Sequence, residues 1–258
     1  MSQNITDKIS ELSAMKKYPP ELFYKGNLEL LKRPKVSIVG TRRPSLYTQQ
    51  FTYTLAKALA SRGVCVVSGA AMGVDAIAHE GAGVENTIAV VANGLNIRYP
   101  VLNAPLIEQI EQQGLMLSQF NDGFRAIGWS FVVRNELVVA LGDILIVTEA
   151  DLNSGSMRSV EYALRMGKEV WVLPHRLNES LGTNTLLAEG KAEVIQDVEA
   201  FVSRFGQAVE SSVPKDDFFY FCQTLPTLDE TIEQFGERVY EAELGGEITI
   251  HNGIVRLT

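Results

Sequence analysis

The sequence has few of the residues from which metal sites and disulfides are built, and it has no long apolar run. It contains two cysteines and three histidines among 258 residues, and neither Cys65 nor Cys222 has a Cys or His neighbour at metal-ligand spacing. We therefore predict no metal site. No segment is apolar over the length of a membrane-spanning helix, and the first residues lack the charged-then-apolar pattern of a secretory signal. We expect a cytoplasmic globular protein that has no membrane partner.

The sequence also lacks the glycine motifs of two large classes of nucleotide enzymes. No Gly-x-Gly-x-x-Gly of a dinucleotide-dependent dehydrogenase follows a predicted strand, and the Gly-x-x-x-x-Gly-Lys-Ser/Thr of P-loop nucleotidases does not occur. The histidines His79, His175 and His251 are too scattered along the chain to indicate a catalytic triad. These absences argue against a dinucleotide-dependent dehydrogenase, a P-loop nucleotidase and a triad enzyme.

Acidic residues are missing from one stretch of the chain, residues 30–63, which contains seven basic residues. The net charge of -8 comes from residues 197–258, where 12 acidic residues stand against 4 basic ones, so that 19 acidic and 19 basic residues remain before them and cancel. A basic stretch on a neutral domain is what phosphate recognition needs. The alternative interpretation is a solvated helix face and a basic loop. The seven residues are Lys32, Arg33, Lys35, Arg42, Arg43, Lys57 and Arg62.

Short β-rich runs alternate with longer segments of helical period from residue 36 onward. This alternation is typical of a parallel sheet that is covered by helices on both faces, so we predict an α/β fold. The predicted strands are residues 36–39, 64–68, 87–91, 115–118, 143–147 and 169–173, and the predicted helices are residues 48–62, 74–83, 103–113 and 157–166.

Composition divides the chain into four segments. Paired prolines, Pro19 and Pro20, forbid a continuous helix near the start and indicate an extended connector. A small, polar stretch with Pro214 indicates a linker, and the residues beyond it are predicted to form two short helices and a hairpin that turns at Asn252 and Gly253. The predicted segments are an N-terminal connector (1–34), an α/β domain (35–205), a linker (206–215) and a winged-helix-like C-terminal domain (216–258).

Two arginines follow the first predicted strand directly. Residues 36–39 end at Gly40, and Arg42, Arg43 and Pro44 come next. Ligands of open parallel sheets bind at the carboxyl ends of the strands, so both arginines reach the place where a ligand is expected. The planar, five-donor guanidinium group suits phosphate, and we predict a phosphate-bearing ligand.

Polar glycine turns follow several of the predicted strands and are expected to meet at the same edge of the sheet. Such turns expose backbone N–H groups, and the positive end of a following helix, to an anion. We interpret Asp75, near the start of the second predicted helix, as a capping or turn residue. The turns are residues 40–44, 68–75, 153–157 and 182–184.

Aromatic residues near an arginine precede the fifth predicted strand. Trp129, expected in a loop beside Gly128, and Phe131 are candidates to stack on nucleobases, with Arg134 reaching a phosphate. In the alternative interpretation the aromatic side chains cover the core and Arg134 pairs with a carboxylate.

Five motifs occur in a fixed order: Val-Gly-Thr-Arg-Arg-Pro (39–44), Ser-Gly-Ala-Ala-Met-Gly-Val-Asp-Ala-Ile-Ala-His (68–79), Arg-Asn-Glu-Leu-Val-Val-Ala-Leu (134–141), Ser-Gly-Ser-Met (154–157) and Gly-Thr-Asn-Thr-Leu-Leu (182–187). Together they resemble the DNA-processing protein A family, also called Smf or DprA. The resemblance covers about residues 18–196. It implies an extended Rossmann-like, doubly wound domain.

The resemblance also implies a function. Members of the family bind and protect single-stranded DNA, form dimers and load the RecA recombinase onto incoming strands during DNA uptake in natural transformation. The resemblance implies binding without turnover, so we expect no catalytic residues, no cofactor and a binding protein rather than an enzyme. The dimer interface is expected between residues 157 and 187. The candidate DNA-binding residues are Arg42, Arg43, Ser68, Gly69, Gly73, Trp129, Phe131, Arg134, Asn135, Ser154, Gly155 and Ser156.

Two departures from the family and two other functions bear on this interpretation. Gly128 and Trp129 stand where some relatives carry a lysine, and the C-terminal segment is acidic, which disfavours duplex DNA as its ligand.

A phosphoribohydrolase-like enzyme of related fold needs Pro-Gly-Gly-x-Gly-Thr-x-x-Glu, of which residues 153–161 keep one glycine and the glutamate. A pocket that senses a small nucleotide is the remaining alternative.

Overall fold

The computed structural model describes residues 2–206, 216–251 and 253–257. The chain divides into two compact units, Met1–Val209 and Glu210–Thr258. No helix in the described part of the chain is long and apolar enough to cross a membrane. The predicted linker, residues 206–215, lies outside the described residues except for Gly206, and it stays a prediction.

The larger unit contains a nine-stranded sheet. Its strands are β1 (Gln3–Asn4), β2 (Phe23–Gly26), β3 (Lys35–Val39), β4 (Cys65–Ser68), β5 (Thr87–Val91), β6 (Leu115–Ser118), β7 (Ile144–Val147), β8 (Val170–Val172) and β9 (Glu193–Val194). They lie in the order β1-β2-β6-β5-β4-β3-β7-β8-β9. All neighbours from β6 to β9 in this order are parallel, and β2 and β1 add an antiparallel edge beside β6.

Helices cover both faces of this sheet. The helices are α1 (Leu46–Ala60), α2 (Val74–Ala82), α3 (Ala104–Gln113), α4 (Gly128–Leu141), α5 (Gly155–Arg165), α6 (Leu181–Ala188) and α7 (Val198–Val202). Helices α1, α2 and α7 share one apolar core with the sheet, whereas α4 and α5 share the core on the other face. The predicted doubly wound, mostly parallel α/β fold is therefore confirmed.

Strand β3 is buried on both of its faces. Val36 and Ile38 point into the core beneath α1 and α2, and Val39 points into the opposite core. A strand that is covered on both sides reads as a continuous apolar run, which explains why the sequence predicts it well. It has β4 on one side and β7 on the other, so it lies where the strand order reverses. This reversal places the loop after β3 at the usual ligand position of such sheets.

Two parts of the sequence interpretation differ from the structure. The loop expected at Gly128 and Trp129 is the first turn of α4. Aromatic and β-branched residues give this turn a low intrinsic helix propensity. Burial of the second half of the helix, residues 137–141, stabilises it. The connector predicted for residues 1–34 contributes β1 and β2 to the sheet.

The smaller unit contains three helices and a two-stranded antiparallel hairpin: α8 (Asp217–Cys222), α9 (Leu228–Phe235), α10 (Arg238–Leu244), β10 (Ile248–His251) and β11 (Ile254–Leu257). Helix α9 is one more than the sequence interpretation allowed. Its signal was present, because Thr227 caps the helix and the Glu230 side chain accepts a hydrogen bond from the Thr227 backbone N–H. Asn252 of the predicted turn lies outside the described residues, and the winged-helix-like assignment stays a prediction.

Packing under α1 supplies a stability test. Leu59 is fully buried and Leu46, in the same helix, is 82% exposed. Leu59→Ala should lower the free energy of unfolding by about 2–5 kcal/mol, and Leu46→Ala by less than about 0.5 kcal/mol. Urea unfolding followed by tryptophan fluorescence reports on this unit, because Trp129 and Trp171 both lie in it. Equal effects of the two substitutions would contradict the packing described.

Candidate nucleic-acid interface

A pocket opens at the carboxyl edge of the sheet. The loops after β3, β4 and β5 and one face of α4 supply its walls, so the pocket collects side chains from four elements. Its lining residues are Arg42, Gly69, Ala71, Met72, Val91, Ala92, Asn93, Tyr99, Pro100, Phe131 and Arg134.

The loop after β3 holds the two predicted arginines at the surface. The Thr41 N–H donates to the Glu149 carbonyl at 2.8 Å, and the Val74 N–H donates to the Thr41 carbonyl at 3.1 Å. These bonds fix the loop between the segment after β7 and the start of α2. Arg42 and Arg43 are exposed, and the Arg42 guanidinium lies 5.5 Å from the Phe131 ring centroid, at cation–π distance.

Most of the other basic residues in the stretch 30–63 bind within the protein. Their partners are carboxylates and carbonyls that lie both near and far along the chain. The contacts are Lys32 with Glu29, Lys35 with Glu11, Arg62 with Glu199, and Arg33 with the Gly63 carbonyl. The basic stretch therefore offers a ligand less positive charge than its composition suggests. The prediction that it binds phosphate rests on Arg42 and Arg43.

Arg134 lies behind these residues and is 5% exposed. Its Nη1 donates to the carbonyls of Gly69 and Val90, the latter at 2.8 Å, and its Nε donates to the Asn135 side chain at 3.1 Å. Burial lowers the pKa of the guanidinium, and the charge of Asp75 opposes this shift. The carbonyls that end β5 and follow β4 thus fix the orientation of a buried positive charge that lines the pocket.

Asp75 is the buried countercharge of Arg134. Its Oδ2 accepts the Ala71 N–H at 3.3 Å. Burial raises the pKa of the Asp75 carboxyl, whereas the positive charge of Arg134 lowers it. The sequence analysis gave Asp75 only a capping or turn role. Its position six residues after the Ser68-Gly69 pair was visible in the sequence, but its proximity to Arg134 was not.

Two glycines let the loops approach each other. A Cβ on Gly69 would collide with the Arg134 guanidinium and the Asp75 carboxylate. Gly73 has φ +78°, and a Cβ there would lie 2.6 Å from the Arg42 carbonyl carbon. Ser68 is fully buried and donates its hydroxyl to the Ile38 carbonyl at 2.6 Å. Ser68 and both glycines therefore shape the pocket in this structure, and their predicted contact with DNA stays a prediction.

The two candidate stacking residues occupy different surroundings. Phe131 lines the pocket, with the Tyr99 ring 6.3 Å away between centroids. Trp129 is 54% exposed and packs edge-on against Phe120 and Phe124, whose own rings are stacked at 4.4 Å. Residues two apart on a helix do not face the same way, which separates Phe131 from Trp129. Tyr99 was missed from the sequence, although its aromatic ring beside a proline was a usable signal.

The serine-glycine turn before α5 lies next to the pocket rather than in its lining. Asn135 connects the two regions, because it accepts from Arg134 and its Nδ2 donates to the Gly155 carbonyl at 3.5 Å. The Ser154 hydroxyl is buried and has no hydrogen-bond partner among the described residues. Ser154, Gly155 and Ser156 form the start of α5, whereas residues 182–184 lie within α6 and not in an open turn.

Within residues 2–206, 216–251 and 253–257 no group of three or more His, Cys, Asp or Glu side chains could hold a metal ion. The pocket lining itself combines arginines, backbone groups and aromatic rings.

Comparison with known proteins identifies the family. A model of the DNA recombination-mediator protein A family matches residues 6–206. The chain belongs to this family. The resemblance read from the five sequence motifs is thereby confirmed.

Several relatives support this membership. The DNA processing protein DprA of Streptococcus pneumoniae is 37% identical over 197 residues, which are 74% of this chain and 69% of that protein. Protein Smf of Escherichia coli is 32% identical over 245 residues, 93% of this chain and 64% of Smf. The chain thus spans about two thirds of the length of these curated relatives.

Solved structures agree in fold. A DNA processing protein A from Helicobacter pylori, described for its single-stranded DNA binding mode, is 42% identical with a TM-score of 0.77, over 79% of this chain and 95% of that one. The DprA structure from Streptococcus pneumoniae is 33% identical with a TM-score of 0.72, over 81% of this chain and 75% of that one.

His79, which lies behind the pocket, supplies a test by pH. It is fully buried, and burial together with the charge of Arg134 lowers its pKa from 6.5 to about 3. Below pH 6.5 the unfolded chain binds a proton at His79 that the folded chain does not bind. The free energy of unfolding should therefore fall with decreasing pH, by up to roughly 1.4 kcal/mol per pH unit.

His79→Asn, which keeps a polar group near the Thr87 hydroxyl, should flatten this dependence between pH 6.5 and about pH 5 in urea unfolding. A wild-type slope in the variant would show that His79 is not the group responsible.

Proposed function

We propose that the protein binds single-stranded DNA without turnover, at the pocket on the carboxyl edge of the sheet. Phosphates bind Arg42 and Arg43, and a base stacks on Phe131. The observation that carries this proposal is the Arg42 guanidinium held 5.5 Å from the Phe131 ring at the mouth of a pocket whose wall contains the buried Arg134. Cation and aromatic ring together are the elements that bind an unpaired nucleotide.

The shape of the pocket supports single strands over duplexes. Its walls are aromatic rings, side chains and backbone from four elements that meet at the sheet edge. In a duplex the faces of the bases are stacked on one another and are not accessible to Phe131. A single strand offers both a free base face and an adjacent phosphate, and every base has such a face, so sequence preference should be slight.

Binding rather than catalysis follows from how the charged groups of the pocket are used. Asp75 accepts a backbone N–H and faces Arg134, and Arg134 is itself committed to carbonyls. Both groups thus interact with the protein itself rather than with the open part of the pocket. Membership in a family named for recombination mediation supports the wider role, in which the bound strand is protected and passed to RecA in the cytoplasm during natural transformation.

A homodimer would join two such pockets on one strand. One pocket neutralises few phosphates, and linking two sites raises the effective concentration of the second. Exposed leucines on and near α5 and α6 support an interface there: Leu164 is 42%, Leu177 90% and Leu181 44% exposed.

Salt dependence tests the arginines. Arg42→Ala or Arg43→Ala should weaken single-strand binding and reduce the slope of log K against log[salt] by about 1, because each loses a phosphate contact. Fluorescence anisotropy with a labelled oligonucleotide at several salt concentrations measures both. Lys32→Ala is the matched control, since Lys32 is an exposed cation that pairs with Glu29 and lies before the opposite end of β3.

Unchanged affinity and slope in both arginine variants would exclude this pocket as the phosphate site. If the pocket instead takes a free nucleotide, a nucleoside monophosphate would bind and single strands would not, which favours the sensor or the phosphoribohydrolase-like alternative.

Stacking is tested separately from charge. Phe131→Ala should reduce affinity for a single strand by about 1–3 kcal/mol, with a smaller effect for Trp129→Ala, because Phe131 lines the pocket and Trp129 packs on its own aromatic cluster. The same titration with an abasic oligonucleotide should show no effect of Phe131→Ala. Equal losses on both oligonucleotides would mean that Phe131 acts only through Arg42.

A further inference from the structure

The smaller unit contains a groove that is not part of the proposed DNA-binding pocket. It runs beside the end of α8, the connection that follows it and the exposed side of α9. We call it the α8–α9 groove. Its lining residues are Phe221, Thr224, Leu225, Pro226, Glu230, Glu233 and Gln234.

The groove combines an apolar base with an acidic wall. Phe221, Leu225 and Pro226 supply the apolar part, and Leu225 is 54% exposed. Glu230 and Glu233, one turn apart on α9, supply the carboxylates. The Thr227 N–H and hydroxyl both donate to Glu230 Oε2 at 2.8 Å, and these bonds lower the pKa of Glu230. The wall is therefore negatively charged at neutral pH.

Leu225 has a backbone conformation that leucine avoids. Its φ is +57°, in the left-handed region where a bulky side chain is unfavourable and where glycine or asparagine usually ends a helix. Burial of the side chain does not compensate for this, because more than half of it is exposed. A strained and exposed apolar residue is a reason to look for a ligand.

The negative charge of the smaller unit favours a cationic ligand. Residues 216–251 and 253–257 contain nine acidic and two basic residues. One of the two, Arg238, binds Asp216 and Glu247 and so offers little to a phosphate. Nucleic acid is repelled by such a unit, whereas a cationic partner is attracted.

We propose that the α8–α9 groove binds a cationic peptide segment of a partner protein. An apolar side chain of that segment packs on Leu225 and Phe221, and flanking Lys or Arg side chains meet Glu230 and Glu233. This interaction is separate from DNA binding at the sheet edge, so either can fail without the other.

The first experiment compares three labelled peptides on the full chain by fluorescence anisotropy, without DNA. The probes are repeats of Lys-Leu, Lys-Ser and Glu-Leu. The Lys-Leu peptide should bind at least about tenfold more tightly than either of the others, because it alone satisfies both parts of the groove. Equal binding of Lys-Leu and Lys-Ser would overturn the proposal, since it would show only general attraction to an acidic protein.

Leu225→Gly separates stability from recognition. Glycine relieves the left-handed strain, so the melting temperature should stay or rise, while Lys-Leu affinity falls at least about tenfold. Glu233→Lys should also reduce binding, whereas Glu243→Lys, the same charge change at an exposed position of α10, should reduce it much less. Unchanged peptide binding in Leu225→Gly, or equal effects of the two charge reversals, would contradict the groove as the site.

A labelled duplex oligonucleotide is titrated in parallel. Duplex binding that is lost in Leu225→Gly would assign the groove to DNA and overturn the peptide proposal. Duplex binding that is weak and unaffected by this substitution supports it.

Discussion

The pocket depends on one buried charge, the guanidinium of Arg134. Isolated in an apolar interior it would be strongly unfavourable, and two carbonyl groups, the Asn135 side chain and the charge of Asp75 compensate for its desolvation. Because those partners come from the ends of β4 and β5 and from α2 and α4, the charge also fixes where these elements meet. Gly69 has to be glycine for the same reason, as its position leaves no room beside the guanidinium and the carboxylate.

The exposed part of the site lies next to this buried charge. The centroid of the Phe131 ring lies 5.9 Å from the Arg134 guanidinium and 5.5 Å from that of Arg42, so the ring is close to both a fixed charge and a surface charge. The loop that carries Arg42 is in turn bonded to the Glu149 carbonyl and to the start of α2. A ligand that places a base on Phe131 finds a positive group beside it without rearrangement of the backbone, which lowers the entropic penalty of binding.

The sequence predicts the parts of this arrangement that are local, and it misses those that depend on distant partners. Strand β3 and the arginines after it are visible because a doubly buried strand is a continuous apolar run that ends at a glycine. The first turn of α4 is missed because Trp129 and Phe131 favour other structures locally while distant packing holds the helix. The basic stretch misleads in the same way: Glu11 and Glu199, which bind Lys35 and Arg62, lie far away in the sequence. Burial of Arg134 beside Asp75 likewise has no local signal.

Binding of an unpaired strand in the sheet-edge pocket can be tested with one titration. Anisotropy of the wild-type protein is measured with a labelled single strand and with the corresponding duplex, each at two salt concentrations. We expect tight binding that favours the single strand and weakens as salt increases, because phosphate contacts release counterions. Absence of single-strand binding at low salt, or equal affinity for the duplex, would contradict it.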